Sequence, residues 1–361
     1  MSHNRIFNFS AGPSMLPVSA LETAAAEMLN YRGSGMSVME MSHRSKVYIS
    51  IFEEVKADLI RIMKIPDTHD VLFMQGGATL QFAAIPMNLI GKTGKADYAV
   101  TGNFSTVAMK EAKKYGEINI AASSEDRNHC YIPAQEDLKI SKDASYFHYC
   151  SNNTIFGTAW NYVPETGDVP LVCDMSSDIM SYPVDVSKFG LIYAGVQKNM
   201  GPAGTAVVII DKSLAGSELP FTPKIMSYAE MIKNDSMLNT PACYTIYMIG
   251  LVCKWIDSQG GVEGISKIKA AKAKLIYDVL EESKMFIGHA EKGFGSDMNV
   301  TFRTNSEDLD AKFVKEAKAA GFENLKGHRA TGGMRASIYN AMPVEGCEKL
   351  AEFMREFEKN N

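Results

Sequence analysis

The sequence predicts an α/β fold: a large domain with a mostly parallel seven-stranded sheet flanked by helices, followed by a smaller α+β domain. Short apolar runs alternate with helical patterns from about residue 70 to residue 260. This alternation is typical of a parallel sheet that is covered by helices on both faces. The character of the sequence changes after QGGVEG at residues 259–264. A chain of 361 residues is also long enough for about two domains.

Seven apolar runs are predicted to form the large sheet. In chain order they span residues 71–74, 98–101, 118–121, 146–150, 171–173, 191–194 and 207–210. The stretches ATLQFAAIPMNLI and STVAMKEAKKYG, which separate the first three runs, have helical spacing, and Gly116 is expected to end the second helix. In sheets of this type, ligands bind at the carboxyl ends of the strands.

The part of the chain after residue 260 is predicted to be a small α+β unit. A long helical pattern covers residues 265–283, and shorter ones cover residues 308–320 and 344–357. Strands are expected at residues 298–302 and 334–338. We therefore place a domain boundary near residue 260.

Composition excludes several classes of protein. A net charge of −5 argues against a general nucleic-acid binder, which needs a basic face. The start of the chain lacks the pattern of a signal peptide, and no apolar run reaches the roughly 18 residues of a membrane span. The scattered cysteines have no metal-binding spacing and are typical of reduced thiols, so we expect a cytoplasmic protein without a metal site.

Lys198 lies at the tip of a turn in GLIYAGVQKNMGPAGTAVVII, residues 190–210. A turn lysine is ordinarily solvated, because removing an ammonium group from water is energetically unfavourable. Here both flanks are apolar strands, which places the turn at a sheet edge rather than in a loose loop. Burial would lower the pKa of the amine and leave it free to attack a carbonyl. The local pattern leaves both interpretations open.

Two further motifs also follow predicted strands. Asp174 in LVCDMSSD is either a turn or capping residue, or a carboxylate that keeps a pyridine nitrogen protonated, as pyridoxal phosphate chemistry requires. In MQGGATLQF, two glycines precede Ala78 and Thr79 at the start of a helix, which is either an ordinary turn or an anion-binding arrangement. Together with Lys198, these motifs could converge on a ligand that carries an aldehyde, a pyridine nitrogen and a phosphate.

The whole chain resembles the phosphoserine aminotransferases, which are fold-type-I pyridoxal phosphate enzymes of class V. The resemblance is carried by NFSAGPSMLP, MEMSHRSKVY, GGATLQFAAIPMNL, HYCSNNTIFGT, CDMSSD, GVQKNMGPAG, LNTPACYTIY and KGHRATGGMRASIYNAMP. It implies an N-terminal segment, residues 1–16, that packs with the small domain. It further implies a large cofactor-binding domain at residues 17–260 and a small domain at residues 261–361.

The resemblance implies roles for the residues around pyridoxal 5'-phosphate. Lys198 would hold the cofactor as a Schiff base and later move a proton, while Asp174 would face the ring nitrogen and Thr154 the phenolic oxygen. The cofactor phosphate would be bound by Ala78, Thr79 and Gln197, and by Asn239 and Thr240 of the neighbouring subunit. Where the family usually stacks a tryptophan on the ring, this chain has Phe104, which is smaller and lacks an N–H donor.

The expected substrates carry two anionic groups, so the site needs at least two cationic groups. The resemblance implies that Arg335 binds the α-carboxylate. His328 and Arg329, together with His43 and Arg44 of the partner subunit, would bind the substrate phosphate. The same pocket could accept the side-chain carboxylate of glutamate. Read without the resemblance, each His-Arg pair would be a solvated loop dipeptide.

The resemblance implies a homodimeric enzyme that transfers the amino group of L-glutamate to 3-phosphohydroxypyruvate, giving O-phospho-L-serine and 2-oxoglutarate. It also implies a second activity in pyridoxine biosynthesis, which the sequence leaves open. Three alternatives are an aminotransferase for a non-phosphorylated 2-oxo acid, a lyase that uses Lys198 without a cofactor, and a catalytically silent binding module. A cysteine desulfurase is less consistent with the sequence, because no cysteine lies in a suitable loop setting.

Overall fold

The structure is a computed structural model that describes residues 5–361. The strands of these residues are β1 Phe7–Asn8, β2 His69–Gln75, β3 Lys95–Val100, β4 Glu117–Ser123, β5 Phe147–Cys150, β6 Asn152–Asn153, β7 Thr158–Ala159, β8 Leu171–Asp174, β9 Leu191–Gly195, β10 Thr205–Asp211, β11 Ile287–Gly288, β12 Asn299–Arg303, β13 Phe322–Glu323 and β14 Met334–Ser337. The α-helices are α1 Val18–Ala26, α2 Lys46–Met63, α3 Gly77–Leu89, α4 Asn103–Ala112, α5 Tyr228–Lys233, α6 Cys243–Ser258, α7 Gly261–Glu282, α8 Glu307–Ala319 and α9 Val344–Lys359.

The large sheet has seven strands in the order β2-β10-β9-β8-β5-β3-β4. Strand β10 is antiparallel to both of its neighbours, and the other pairings are parallel. Each of the seven predicted strands is present, with bounds that differ by a few residues. The predicted α/β class with a mostly parallel sheet is therefore confirmed.

Apart from its edge strand β4, the sheet is buried on both faces, which explains the nearly continuous apolar runs of the other strands. Val207 and Ile209 of β10 belong to the core on one face, whereas Val208 and Ile210 belong to the core on the other. All five residues of β9 are buried. Polar groups within the strands are buried with the sheet and pair there, as in the 2.9 Å contact between His148 Nε2 and the Tyr193 hydroxyl.

The helix predicted over STVAMKEAKKYG differs from the observed one at both ends. Helix α4 begins at Asn103 and ends at Ala112, and the next residue, Lys113, keeps a right-handed conformation. The expectation that Gly116 ends the helix is wrong. A Cβ atom at Gly116 would lie 2.5 Å from the carbonyl oxygen of Gly94 and from Cδ1 of Ile90, so close packing is what requires this glycine.

The C-terminal part contains the three predicted helices, α7, α8 and α9, and a three-stranded sheet in the order β11-β12-β14. The N-terminal strand β1 pairs in parallel with β13. Phe7, Phe9 and Met15 pack in the same core as Phe313 and Phe357. The domain limits stay a prediction, although α6 ends and α7 begins within three residues of position 260.

Over residues 5–361, no helix combines the length and the apolar character that crossing a membrane demands. All six cysteines have free thiols. Residues 5–361 contain no cluster of histidine, cysteine and acidic side chains that could hold a metal ion.

Candidate active site

The candidate site lies where two neighbouring parallel strands end. Asp174 is the last residue of β8, and β9 ends at Gly195, shortly before Lys198. Asp174 and Lys198 line one small cavity together with Phe104 and Thr154. The structure thus brings these four predicted residues together, because the carboxyl ends of parallel strands share one edge of the sheet.

The amine of Lys198 is held among side chains of quite different character. Its Nζ donates a hydrogen bond to Oγ1 of Thr154 at 2.7 Å and lies 4.6 Å from the centre of the Phe104 ring. Burial lowers the pKa of Lys198, while the negative charge of Asp174 acts in the opposite direction. The surroundings therefore favour a neutral, nucleophilic amine more than water does.

Asp174 is buried, with 7% of its surface exposed. Its Oδ1 accepts a hydrogen bond from the backbone N–H of Ser176 at 2.8 Å. The Ser176 hydroxyl oxygen in turn accepts the N–H of Gly195 at 2.9 Å. This chain of contacts fixes the carboxylate relative to the end of β9, and hence relative to the turn that carries Lys198.

The glycine motif forms the expected turn into a helix. Gly76 and Gly77 have φ values of 89° and 66°, a conformation that side chains disfavour; Gly76 directly precedes α3 and Gly77 is its first residue. Ala78 and Gln197 meet at Gly195, where an added Cβ would lie 3.2 Å from the nitrogen of Ala78 and 2.9 Å from Oε1 of Gln197. Thr79 lies exposed in the first turn of α3. The first N–H groups of the helix can bind an anion there.

Arg335 connects the small domain to this site. It lies in β14, and its Nη1 donates to the carbonyl oxygen of Thr154 at 3.4 Å. Burial lowers the pKa of Arg335, and none of the ion pairs within residues 5–361 includes it. A half-buried guanidinium without a carboxylate partner is unfavourable by itself and suits an anionic ligand.

His328 and Arg329 lie beside a different cavity. They line a space of about 740 Å³ that neither Lys198 nor Arg335 lines. Burial, followed by the charges of Arg335 and Arg329, lowers the pKa of His328. Arg335 thus lies close enough to act on His328 electrostatically, but the structure does not place the His-Arg pair and Lys198 in one cavity.

The residues expected from a partner subunit are seen here in a single chain. Nε2 of His43 is buried without a hydrogen-bond partner, and Arg44 is exposed. Gln75 Nε2 donates to the Thr240 carbonyl at 2.7 Å and to Oδ1 of Asn239 at 3.4 Å. Asn239 and Thr240 therefore lie beside the strand that leads into the glycine turn of their own chain, and their contact with a partner's cofactor stays a prediction.

Two contacts at the site were missed by sequence reasoning. Ser14 Oγ donates to the carbonyl oxygen of Lys198, and Arg335 reaches the backbone of Thr154. Ser14 lies in NFSAGPSMLP, which carries part of the family resemblance, but nothing in its local spacing indicates contact with a residue 184 positions away. The sequence around Arg335 likewise contains no sign of the backbone group that it contacts.

The residues present fit pyridoxal phosphate. An amine with a lowered pKa lies beside a hydroxyl group and an aromatic ring. A buried carboxylate lines the same cavity, and two left-handed glycines lie at a helix N-terminus. These groups match the aldehyde, ring, ring nitrogen and phosphate of the cofactor.

Comparisons with known proteins agree with this chemistry. The model of the class-V aminotransferase family matches residues 6–350. The phosphoserine aminotransferase of Nitrosomonas europaea is 52% identical over 365 residues and that of Desulfatibacillum aliphaticivorans is 51% identical over 360 residues, each with 99% of both chains covered. The solved phosphoserine aminotransferase of Bacillus circulans subsp. alkalophilus matches with a TM-score of 0.97 and 46% identity, again over 99% of both chains. This chain therefore belongs to the phosphoserine aminotransferases of the class-V aminotransferase family.

Proposed function

We propose that this chain is a pyridoxal phosphate-dependent phosphoserine aminotransferase of serine biosynthesis. It transfers the amino group of L-glutamate to 3-phosphohydroxypyruvate, and the products are O-phospho-L-serine and 2-oxoglutarate. The observation that carries the proposal is the Lys198 amine, with its lowered pKa, in one cavity with Asp174. The guanidinium of Arg335, which takes part in no ion pair within residues 5–361, lies within hydrogen-bonding distance of the carbonyl oxygen of Thr154.

The cofactor would be held by groups that lie at or after the ends of five strands of the large sheet, namely β2, β3, β5, β8 and β9. Lys198 would bind its aldehyde carbon, Asp174 its ring nitrogen, Thr154 its phenolic oxygen and Phe104 one face of its ring. Ala78, Thr79 and Gln197 would bind its phosphate. When bound, pyridoxal phosphate supplies an aldehyde and a ring that accepts electron density from the substrate.

The residues of the chain would position the substrate and move its proton. Arg335 would bind the α-carboxylate through two parallel hydrogen bonds. Lys198, once its amine is free, would accept the proton from the substrate Cα, because its lowered pKa suits a general base. The 2.7 Å contact with Thr154 would keep the amine oriented between its two tasks.

The groups that bind the second anion of the substrate would distinguish phosphorylated from non-phosphorylated amino acids. His328 and Arg329 would bind the phosphate, joined by His43 and Arg44 of a partner subunit in a cytoplasmic homodimer. The side-chain carboxylate of glutamate would use the same cationic groups. Activity in pyridoxine biosynthesis stays a prediction of the family resemblance.

The proposal is tested by comparing O-phospho-L-serine with L-serine as amino donor to 2-oxoglutarate. We expect kcat/KM to favour phosphoserine by at least about 1000-fold, since a site built around a phosphate leaves its cationic groups unpaired with serine. Arg329→Ala should reduce this preference. Lys315→Ala, which removes an exposed charge from α8, should not. A preference for serine would contradict the proposed substrate.

A further inference from the structure

The two strands that carry Arg335 and its neighbours are docked on the segment that carries Thr154. In the register of β12 and β14, Thr301 lies opposite Arg335 and Asn299 lies opposite Ser337. Because side chains alternate along a strand, Arg335 and Ser337 project from the same face of the small sheet. Asn299 therefore lies opposite Ser337, which is two positions from Arg335 in β14.

The side-chain amide of Asn299 connects strand β14 and the residues after it to the segment that begins at Asn152. Its Oδ1 accepts a hydrogen bond from Nδ2 of Asn152 at 2.8 Å, and its Nδ2 donates to Oγ of Ser337 at 2.9 Å and to the hydroxyl of Tyr339 at 3.2 Å. Asn299 is completely buried and Asn152 is 5% exposed. A buried amide whose donors and acceptor are all paired specifies one arrangement of its neighbours.

Further contacts hold the same surfaces together. Thr301 Oγ1 donates to the Ile155 carbonyl at 3.0 Å. The backbones approach so closely at Gly157 that an added Cβ would lie 2.7 Å from the carbonyl oxygen of Asn299. The N–H of Ser296 donates to the Gly157 carbonyl at 2.9 Å. The segment at residues 152–158 thus packs tightly against strands β12 and β14.

We propose that Asn299 is a positioning residue, which through Asn152 fixes Arg335 relative to Thr154 and Lys198. The α-carboxylate of the substrate is then held at a set distance from the Lys198 amine, which accepts the proton of the substrate Cα. A displaced guanidinium cannot make both of its parallel hydrogen bonds to the carboxylate and therefore binds it more weakly. This inference rests on the proposed function, because it takes Arg335 as the carboxylate ligand.

The test compares Asn299→Leu with a matched control, Asn88→Leu. Asn88 is 1% exposed and lies in the last turns of α3, away from β14. Its Nδ2 donates to the carbonyls of Ala84 and Met226 at 2.7 and 2.8 Å, and its Oδ1 accepts the N–H of Tyr228 at 2.8 Å. Both substitutions therefore remove a buried asparagine with three hydrogen bonds and should lower Tm by similar amounts.

The readout is the apparent Kd for glutamate in the half-reaction of the holoenzyme, followed by cofactor absorbance. For Asn299→Leu we expect this Kd to rise by about tenfold or more, because the guanidinium loses a charge-assisted hydrogen bond to the carboxylate. The absorbance maximum and the Kd for pyridoxal phosphate should stay as in the wild type. Asn88→Leu should leave the Kd for glutamate unchanged. If Asn299→Leu does not fold, Thr301→Val removes only the hydroxyl that bonds Ile155, and it should shift the Kd in the same direction.

The outcomes separate this inference from the proposed function. A wild-type Kd for glutamate in folded Asn299→Leu, or an equal rise in Asn88→Leu, would overturn the positioning role alone. A wild-type enzyme that shows no half-reaction with either glutamate or phosphoserine would overturn the proposed function and this inference with it.

Discussion

Lys272, which is buried, and Lys198, which is half-buried, have different surroundings, and the difference decides what each can do. Nζ of Lys272, which is completely buried, donates to the carbonyls of Ile338, Tyr339 and Met342 at 3.0, 2.7 and 2.9 Å. Burial lowers its pKa to about 8, so Nζ is protonated at neutral pH and serves as a donor to that loop. Lys198 has the Thr154 hydroxyl as its hydrogen-bond partner. Burial alone therefore does not make a lysine reactive.

A second residue-scale feature is Asp178, a carboxyl group behind the site. It is 5% exposed and accepts hydrogen bonds from Ser151 Oγ at 2.6 Å and from the Tyr182 hydroxyl at 3.2 Å. Burial raises its pKa to about 7, although these two hydroxyls and the charge of Lys269 act in the opposite direction. Asp178 is thus an acid that titrates near neutral pH inside the fold.

The raised pKa of Asp178 predicts a pH dependence of stability. Between pH 4 and pH 7 the folded chain keeps a proton that the unfolded chain has released, so this group lowers the free energy of unfolding as the pH rises, by at most about 1.4 kcal/mol per pH unit. Asp178→Asn removes this term and can still accept from Ser151. We therefore expect the variant to gain stability relative to the wild type between pH 5 and pH 8, as measured by urea unfolding.

The control for this prediction is Asp185→Asn. Asp185 is exposed, and the Ser187 hydroxyl lowers its pKa, so it does not titrate above pH 5. Its difference from the wild type should be constant between pH 5 and pH 8. A constant difference for Asp178→Asn as well would contradict the raised pKa.

At the scale of elements, the ends of strands β8 and β9 and the start of helix α3 would form the cofactor side of the proposed site. The close approach at Gly195 predicts that Gly195→Ala weakens cofactor binding. The oxygen of Gln197 can move away from a new Cβ, but Ala78, 3.1 to 3.2 Å away, belongs to the start of α3. Overpacking of this kind costs about 1–3 kcal/mol, so the Kd for pyridoxal phosphate should rise by about 5-fold to 150-fold.

A matched control lies six residues further along the chain. A Cβ at Gly201 would meet its nearest neighbour, Cγ1 of Ile249, at 3.4 Å, an ordinary contact distance. Gly201→Ala should leave the Kd for pyridoxal phosphate unchanged. Equal cofactor affinity in both variants would contradict the role given to the close approach at Gly195.

The same elements show how far sequence reasoning reaches. Asp174 and Lys198 could be placed together because each follows an apolar run, and the ends of parallel strands meet at one edge. The pair Asn152 and Asn299 could not, since its members are 147 positions apart and neither has a local pattern that points to the other. Gly116 was misread because a glycine after a helical pattern suits a cap and a close contact equally well.

At the scale of the whole molecule, we predict that the substrate site is shared between two chains. No hydrogen bond or ion pair of residues 5–361 joins His43 or Arg44 to Lys198, Asp174 or Arg335. The proposed homodimer would supply both residues from the second subunit. Each active site would then contain Lys198 of one chain and Arg44 of the other.

Mixing two defective variants tests this arrangement. Dimers reassembled from equal amounts of Lys198→Ala and Arg44→Ala chains should regain about a quarter of the wild-type activity, because half of the dimers are mixed and each mixed dimer has one intact site. Lys198→Ala mixed with Lys198→Arg cannot produce an intact site and serves as the control. Activity no higher than that of the parent variants would contradict a site shared between subunits.

The central claim is that Lys198 is the residue to which the cofactor is attached. Its most direct test is borohydride reduction of the holoenzyme, followed by digestion and peptide mapping. We expect the reduced cofactor on Lys198, within the peptide that spans residues 190–210, and no adduct in Lys198→Arg. An adduct on Lys272 or any other lysine, or a wild-type protein that retains no cofactor after reduction, would contradict the claim.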